Sequence, residues 1–245
     1  MALYQLTIAY DGTLFLGFQK QRDGRTVQGE IEQALKRIGW RGSSILAAGR
    51  TDCGVHASGQ VIAFHLDWPH SEMNLQKAIN SHLPDDIAIR DLKIALEGFH
   101  PRFSAVARGY VYRIYCGEYP NPLKDRFSWR IWPDAKFELL QEAAKILVGE
   151  HNFSAFGRPP KEEAGTIRTI FSSKWVKEKP GFRFEVRANA FLYHMVRRAV
   201  FLQVRIGQGK LSMEAMKQAV NGEIGIKPGI APACGLELAE VVYKL

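Results

Sequence analysis

Between Ala47 and Ala57 the chain reads Ala-Ala-Gly-Arg-Thr-Asp-Cys-Gly-Val-His-Ala. Asp52 has the plainest chemical capability here. An ionised carboxylate on a loop between two strands can serve as a nucleophile or a general base. Arg50, two residues earlier, is a cation that favours the charged form of that carboxylate. The two glycines permit a close backbone approach that side chains would block. The same residue types also fit a tight turn whose Asp takes backbone hydrogen bonds and whose Arg faces solvent.

Competing chemistries have little to stand on. The seven histidines include no HExxH pair, and His65 with His70 is not a helical ligand spacing. Neither GxGxxG nor GxxxxGK[ST] occurs, so a nucleotide cofactor has no motif. Asp11 and Asp52 suggest a two-metal nuclease pair, but no further acidic cluster accompanies them. Cys53, Cys116 and Cys234 form no CxxC, which argues against a thiolate metal site and for a reduced, cytoplasmic protein.

The elements that must position Asp52 follow from periodicity. Residues 3–10 alternate, with Tyr4, Leu6, Ile8 and Tyr10 on one face of a strand. Thr26 is placed to cap a helix carrying Val27, Ile31, Ala34, Leu35 and Ile38. Strands at 44–48 and 60–66, a helix over 72–82 and a strand near 86–94 complete a β-α-β-β-α-β order. The second half starts with strands at 106–117 and 126–132. A helix from an Asp134 cap to Gly149 and a polar loop at 150–166 come next. Strands near 168–178 and 182–189 turn at Pro180-Gly181, and helices over 191–206 and 213–220 precede a last strand at 235–245. Setting aside the strand at 106–117 and the extra helix, this half repeats the order of the first. The expected fold is α+β: two ferredoxin-like repeats with largely antiparallel sheets, helices on one side, and a central cleft. The expected domains are 1–105 and 106–245.

Composition restricts the class further. With 245 residues, 46% hydrophobic and 24% charged, the chain is an ordinary globular protein, which excludes disorder, collagen and coiled coil. No apolar run reaches the roughly 20 residues of a membrane span, and the N-terminus lacks a signal-peptide pattern. The net charge of +8 is concentrated: residues 168–210 hold ten Lys/Arg against Glu178 and Glu185. Such a segment fits an anionic partner or a solvated face. Interleaved with it are Phe171, Trp175, Phe182, Phe184, Phe191, Tyr193 and Phe201, most of them expected in the core and one or two against the anionic partner.

GRTDCGVHA followed by SGQVIAF resembles the signature of the TruA family of tRNA pseudouridine synthases. AYDGTLFLGFQKQ at 9–21 resembles the family's opening, with Phe18 where tryptophan is more usual. FHPRFSAVARGYVYRI at 99–114, RANAFLYHMVRR at 187–198 and GLELAEVVY at 235–243 resemble its later blocks, in family order.

That resemblance implies conversion of uridine to pseudouridine at tRNA positions 38, 39 or 40 in the anticodon stem-loop. It implies base flipping, no cofactor, no metal, and a homodimer acting on tRNA. Asp52 falls on the family's catalytic aspartate, and attack at C1′, attack at C6 and proton abstraction all stay open for it. Arg50 falls on the position assisting base flipping, Tyr110 on the active-site tyrosine, and Leu236 on an apolar wall of the pocket. Arg197 falls on an ion-pair partner of the carboxylate. On helical geometry Arg198 is its rival, because it lies nearer the apolar stripe Phe191, Met195, Ala199, Leu202 and Ile206. Tyr112 shares a strand face with Tyr110 and reads as core. Arg25, Arg168, Lys174, Lys177, Lys179 and Arg198 are the expected RNA contacts. A catalytically silent RNA-binding module is the other class these features fit.

Overall fold

A computed structural model describes residues 1–159, 162–223 and 229–244. By density of contacts the chain divides into Met1–Val106 with Glu237–Leu245, and Ala107–Leu236.

In the first unit, β1 (Ala2–Tyr10) buries Tyr4, Leu6, Ile8 and Tyr10, as its alternation predicts. Helix α1 (Val27–Arg37) begins where Thr26 accepts a hydrogen bond from the Gly29 amide, and it buries Val27, Ile31, Ala34 and Leu35. Strand β2 is only Leu46–Ala47, and β3 runs His56–Leu66. Helix α2 (Glu72–Asn80) is capped by Ser71 and leads to β4 (Ile87–Ile94). β1 pairs antiparallel with both β3 and β4, and β2 pairs antiparallel with β3. β3 starts four residues earlier than its hydrophobic run indicates. The polar stretch His56-Ala-Ser-Gly is extended because Ala57 pairs with Tyr10 across the sheet.

The second unit holds β5 (Ala105–Cys116), a short helix α3 (Pro122–Asp125), β6 (Trp129–Ile131) and α4 (Phe137–Ile146). β7 (Gly149–Asn152), β8 (Ile167–Glu178), β9 (Gly181–Ala188), α5 (Met195–Gly207) and α6 (Met213–Val220) follow. β5, β9, β8 and β7 are antiparallel neighbours in that order, with β6 parallel to β5. The mixed α+β class with mostly antiparallel pairing is as expected. Tyr112, Trp175 and Phe184 are buried and lie in register across three strands. The Trp175 indole donates to Gln203 of α5 at 2.8 Å, which satisfies a polar group inside the core.

Several boundaries differ from expectation. Asp134 does not cap α4: its carboxylate accepts from the Ala135 amide, and the helix starts after Lys136 without a side-chain cap. The loop at 150–166 contains β7, whose half-exposed Gly-Glu-His-Asn carries no hydrophobic alternation. α5 starts at Met195 rather than 191, because His194 adopts a left-handed conformation (φ 66°) that a helix excludes. The final strand β10 (Leu236–Tyr243) pairs parallel with β3 through Glu237 opposite His56 and Leu238 opposite Ala57. Its other neighbour in the sheet is β5.

Candidate functional site

The Asp52 loop is gripped from behind by residues 10–18. The Tyr10 hydroxyl lies 2.7 Å from Thr51 Oγ1, and both groups are buried. The Phe18 amide donates to the Thr51 carbonyl at 3.0 Å, and the Gly54 amide donates to the Phe15 carbonyl at 3.4 Å. The loop closes on itself where the Val55 amide donates to the Asp52 carbonyl at 3.1 Å. Gly17 needs its φ of +98°, and a Cβ there would lie 2.9 Å from the Thr51 carbonyl oxygen. Buried His56 Nδ1 faces the Gly12 amide at 3.1 Å and Asp11 Oδ1 at 3.1 Å. The two are alternatives for one ring nitrogen: unprotonated it accepts from Gly12, protonated it donates to Asp11.

The front of the loop is more open. Asp52 is half-buried and Arg50 is exposed. Gln60, fully buried in β3, donates through Nε2 to the Gly49 carbonyl at 3.0 Å, and the Ala48 amide donates to Val61 at 2.8 Å. Both ends of the loop are thus fixed to β3 while its middle is anchored to the N-terminal segment. A carboxylate held this way satisfies the positional demand of nucleophilic or general-base chemistry. Sequence reading placed Asp52 and Arg50 on this loop but missed the supporting residues Tyr10, Gly12 and Phe18. The inward alternation of β1, ending at Tyr10-Asp-Gly, was the available signal.

The Tyr10–Thr51 contact makes a direct test. Tyr10→Phe and Thr51→Val are each expected to lower the unfolding free energy by about 1 kcal/mol in chemical denaturation. The double variant is expected to lose less than the sum, since both changes remove the same bond.

In the second unit, half-buried Tyr110 packs edge-on against Phe191 (5.0 Å, 84°). Tyr112 is fully buried and donates to the Pro232 carbonyl at 2.8 Å; burial pushes its phenol well above the usual range. It is a core residue, as read. Arg197 Nε donates to the Ala231 carbonyl at 2.8 Å, and the Ala231 amide donates back to Arg197 at 3.2 Å. Arg198 is half-buried on the same turn of α5. Leu236 is buried at the start of β10.

The expected basic surface is only partly a surface. Arg168 is 8% exposed, its Nη1 donates to the Ala164 and Ile167 carbonyls, and burial lowers its pKa. Arg25 is engaged by Asp86 through Nη1 and Nη2 (2.6 and 2.9 Å) and by Glu30 through Nε (3.0 Å). Its bond to Asp86 raises its pKa against the opposing effect of burial. Both arginines are engaged by protein groups, Arg168 buried and Arg25 partly exposed. Lys174 pairs with Glu185 at 3.2 Å, Lys177 lies 4.8 Å over the Phe137 ring, and Lys179 is exposed. Among the described residues no cluster of His, Cys, Asp and Glu could hold a metal ion, and no helix is long and apolar enough to cross a membrane.

The sequence pattern of one family, described as tRNA pseudouridine synthase, matches residues 6–104 and 143–244. The chain belongs to the tRNA pseudouridine synthase family. Within it, the chain is 37% identical to the tRNA pseudouridine synthase A of Syntrophotalea carbinolica, over 99% of this chain and 97% of that one. It is 38% identical to those of Pseudothermotoga lettingae (99% and 100%) and Bacillus subtilis (97% of each). The pseudouridine synthase kinship thus spans both units and includes the Asp52 loop.

Proposed function

We propose that the enzyme converts uridine to pseudouridine at position 38, 39 or 40 in the anticodon stem-loop of tRNA, with Asp52 as nucleophile or base. The observation that supports this best is the anchored Asp52 loop, lying in a chain that aligns almost end to end with enzymes of that name. The reaction breaks the N1–C1′ bond, turns the uracil, joins C5 to C1′ and releases the C5 proton. Atoms and electrons balance without an added reagent.

Each expected residue has a task in this reading. The uridine must leave its stack, and Tyr110, steadied by Phe191, offers a flat ring for the extracted base. Arg50 assists that extraction. Leu236 walls the pocket and keeps water from the glycosyl centre. Arg197 takes the position of the family's ion-pair partner of the carboxylate. The duplicated repeat, the RNA-binding cleft, the homodimer and a cytoplasmic location belong to the same reading.

The test uses unmodified tRNA carrying tritium at uracil C5. Tritium is expected in the solvent in proportion to pseudouridine formed, since the C5–C1′ bond displaces it. Absence of release from every tRNA tried would overturn the reading in favour of a silent RNA-binding module. Strand cleavage abolished by a chelator would point to a nuclease instead.

A further inference from the structure

The turn that precedes α5 carries an exposed aromatic ring that no step described above uses. Tyr193 is 60% exposed, yet its ring is stacked against the adjacent His194 ring, with centroids 3.8 Å apart and planes inclined by 32°. An exposed tyrosine on an ordinary loop would sample several rotamers; this one has a ring behind it and a fixed backbone. The Tyr193 amide donates to the Arg158 carbonyl at 3.0 Å, forming an isolated antiparallel bridge between Tyr193 and Arg158. Gly157 makes that approach possible, since a Cβ there would lie 2.3 Å from the Tyr193 carbonyl oxygen.

The backbone also bears strain at this point. His194 holds φ 66°, the one non-glycine residue with positive φ among the described residues. For an L-residue that conformation costs about 1–2 kcal/mol. The Met195 amide bond to Leu192 (3.1 Å) and the Arg198 amide bond to the His194 carbonyl (3.0 Å) hold it in place. The result is to turn the two rings onto one another ahead of the helix.

Charge completes the surface. Residues directly opposite in an antiparallel bridge project to the same side, with Cβ atoms about 4.5–5.5 Å apart. Exposed Arg158 therefore stands beside Tyr193. A flat ring with one face backed, an open face and a neighbouring guanidinium matches a nucleotide: the ring takes the base and the cation takes its phosphate.

We propose that Tyr193, backed by His194 and flanked by Arg158, is a stacking platform for an unpaired nucleobase of the RNA substrate, additional to the base at Tyr110. This rests on the RNA-modifying reading above and names a second point of contact for that substrate.

The experiment measures the Kd of fluorescently labelled, unmodified tRNA by anisotropy at several salt concentrations, alongside tritium release. Tyr193→Ala is expected to raise Kd by roughly 5- to 150-fold, the equivalent of about 1–3 kcal/mol of base–aromatic stacking. Its slope of log Kd against log salt should match that of the unsubstituted enzyme, since no phosphate contact is removed. Tyr193→Phe and Tyr193→Trp should stay within about threefold, whereas Tyr193→Leu, which keeps apolar bulk without a π-face, should behave like Tyr193→Ala. Arg158→Gln should lower the salt slope by about one. At saturating tRNA the kcat of Tyr193→Ala should be close to normal.

The platform is overturned if Tyr193→Ala binds tRNA within twofold of the unsubstituted enzyme, or if Tyr193→Leu restores binding as well as Tyr193→Phe does. It is equally overturned if Tyr193→Ala changes the salt slope, which would mark a phosphate contact. The direct binding measurement needs no turnover. An unsubstituted enzyme that binds tRNA but releases no tritium would defeat the catalytic reading and leave the Tyr193 comparison intact.

Discussion

Asp52→Asn is expected to reduce tritium release from C5-labelled tRNA by at least about 10³-fold while leaving tRNA affinity within severalfold of normal. Asparagine preserves the size of the side chain and removes its charge, so the substitution isolates the carboxylate's chemistry. The bonds that anchor the loop backbone use other groups. The Tyr10–Thr51 contact, the Phe18–Thr51 bond and the Val55–Asp52 bond all use atoms outside the Asp52 side chain. Thermal melting should therefore stay close to that of the unsubstituted enzyme. A kcat within tenfold of normal, in a protein that still binds tRNA, would remove Asp52 from the reaction.

Gly12→Ala is expected to have the second-largest effect, through geometry rather than charge. A Cβ at Gly12 would lie 2.0 Å from the Val55 carbonyl oxygen and 2.5 Å from its carbon. Both are backbone atoms, so no side-chain rotation relieves the clash. Either the Asp11-Gly12 turn or the loop ending at Val55 must move by more than an ångström, three residues from Asp52. Overpacking of this kind typically costs about 1–3 kcal/mol. A displacement of that size at a reacting group can cost about 10²-fold in rate.

The expected result is a lowered melting temperature with kcat down about 100-fold. Gly39→Ala is the control. Gly39 has a positive φ of +93° and no atom within 4 Å of the added Cβ, so it should lose about 1 kcal/mol of stability and retain turnover. Normal kcat in Gly12→Ala would mean that the turn and the Asp52 loop are not mechanically linked.

What the sequence disclosed follows the range of the forces involved. β1 and α1 were legible because one carries strict alternation and the other an apolar stripe behind a Thr26 cap, both local properties. Asp52 and Arg50 were legible because an unusual set of residue types sits between two strands. The start of α5 was not: His194 is held left-handed by neighbours, and no capping residue marks the boundary. Asp134 looked like a cap, but its carboxylate was satisfied one residue on. Burial of Arg168 and the carboxylates around Arg25 were hidden because composition counts charges without locating their partners. The Tyr10–Thr51 contact joins residues 41 apart, beyond the reach of any local pattern.

The parallel pairing of β10 with β3 has a temporal side. His56 and Ala57, at the exit of the Asp52 loop, take their β10 partners from Glu237 and Leu238, which a ribosome adds about 180 residues later. At about 5–20 residues per second, a nascent first unit waits roughly 9–36 s for its last strand. Throughout that interval the edge of β3 beside the Asp52 loop is open, with Gly59 not yet seated against the Ala239 carbonyl and Ser58 without Glu237. The loop therefore reaches its finished setting only once β10 has been made, and a ribosome that stalls earlier leaves the first unit with an incomplete sheet.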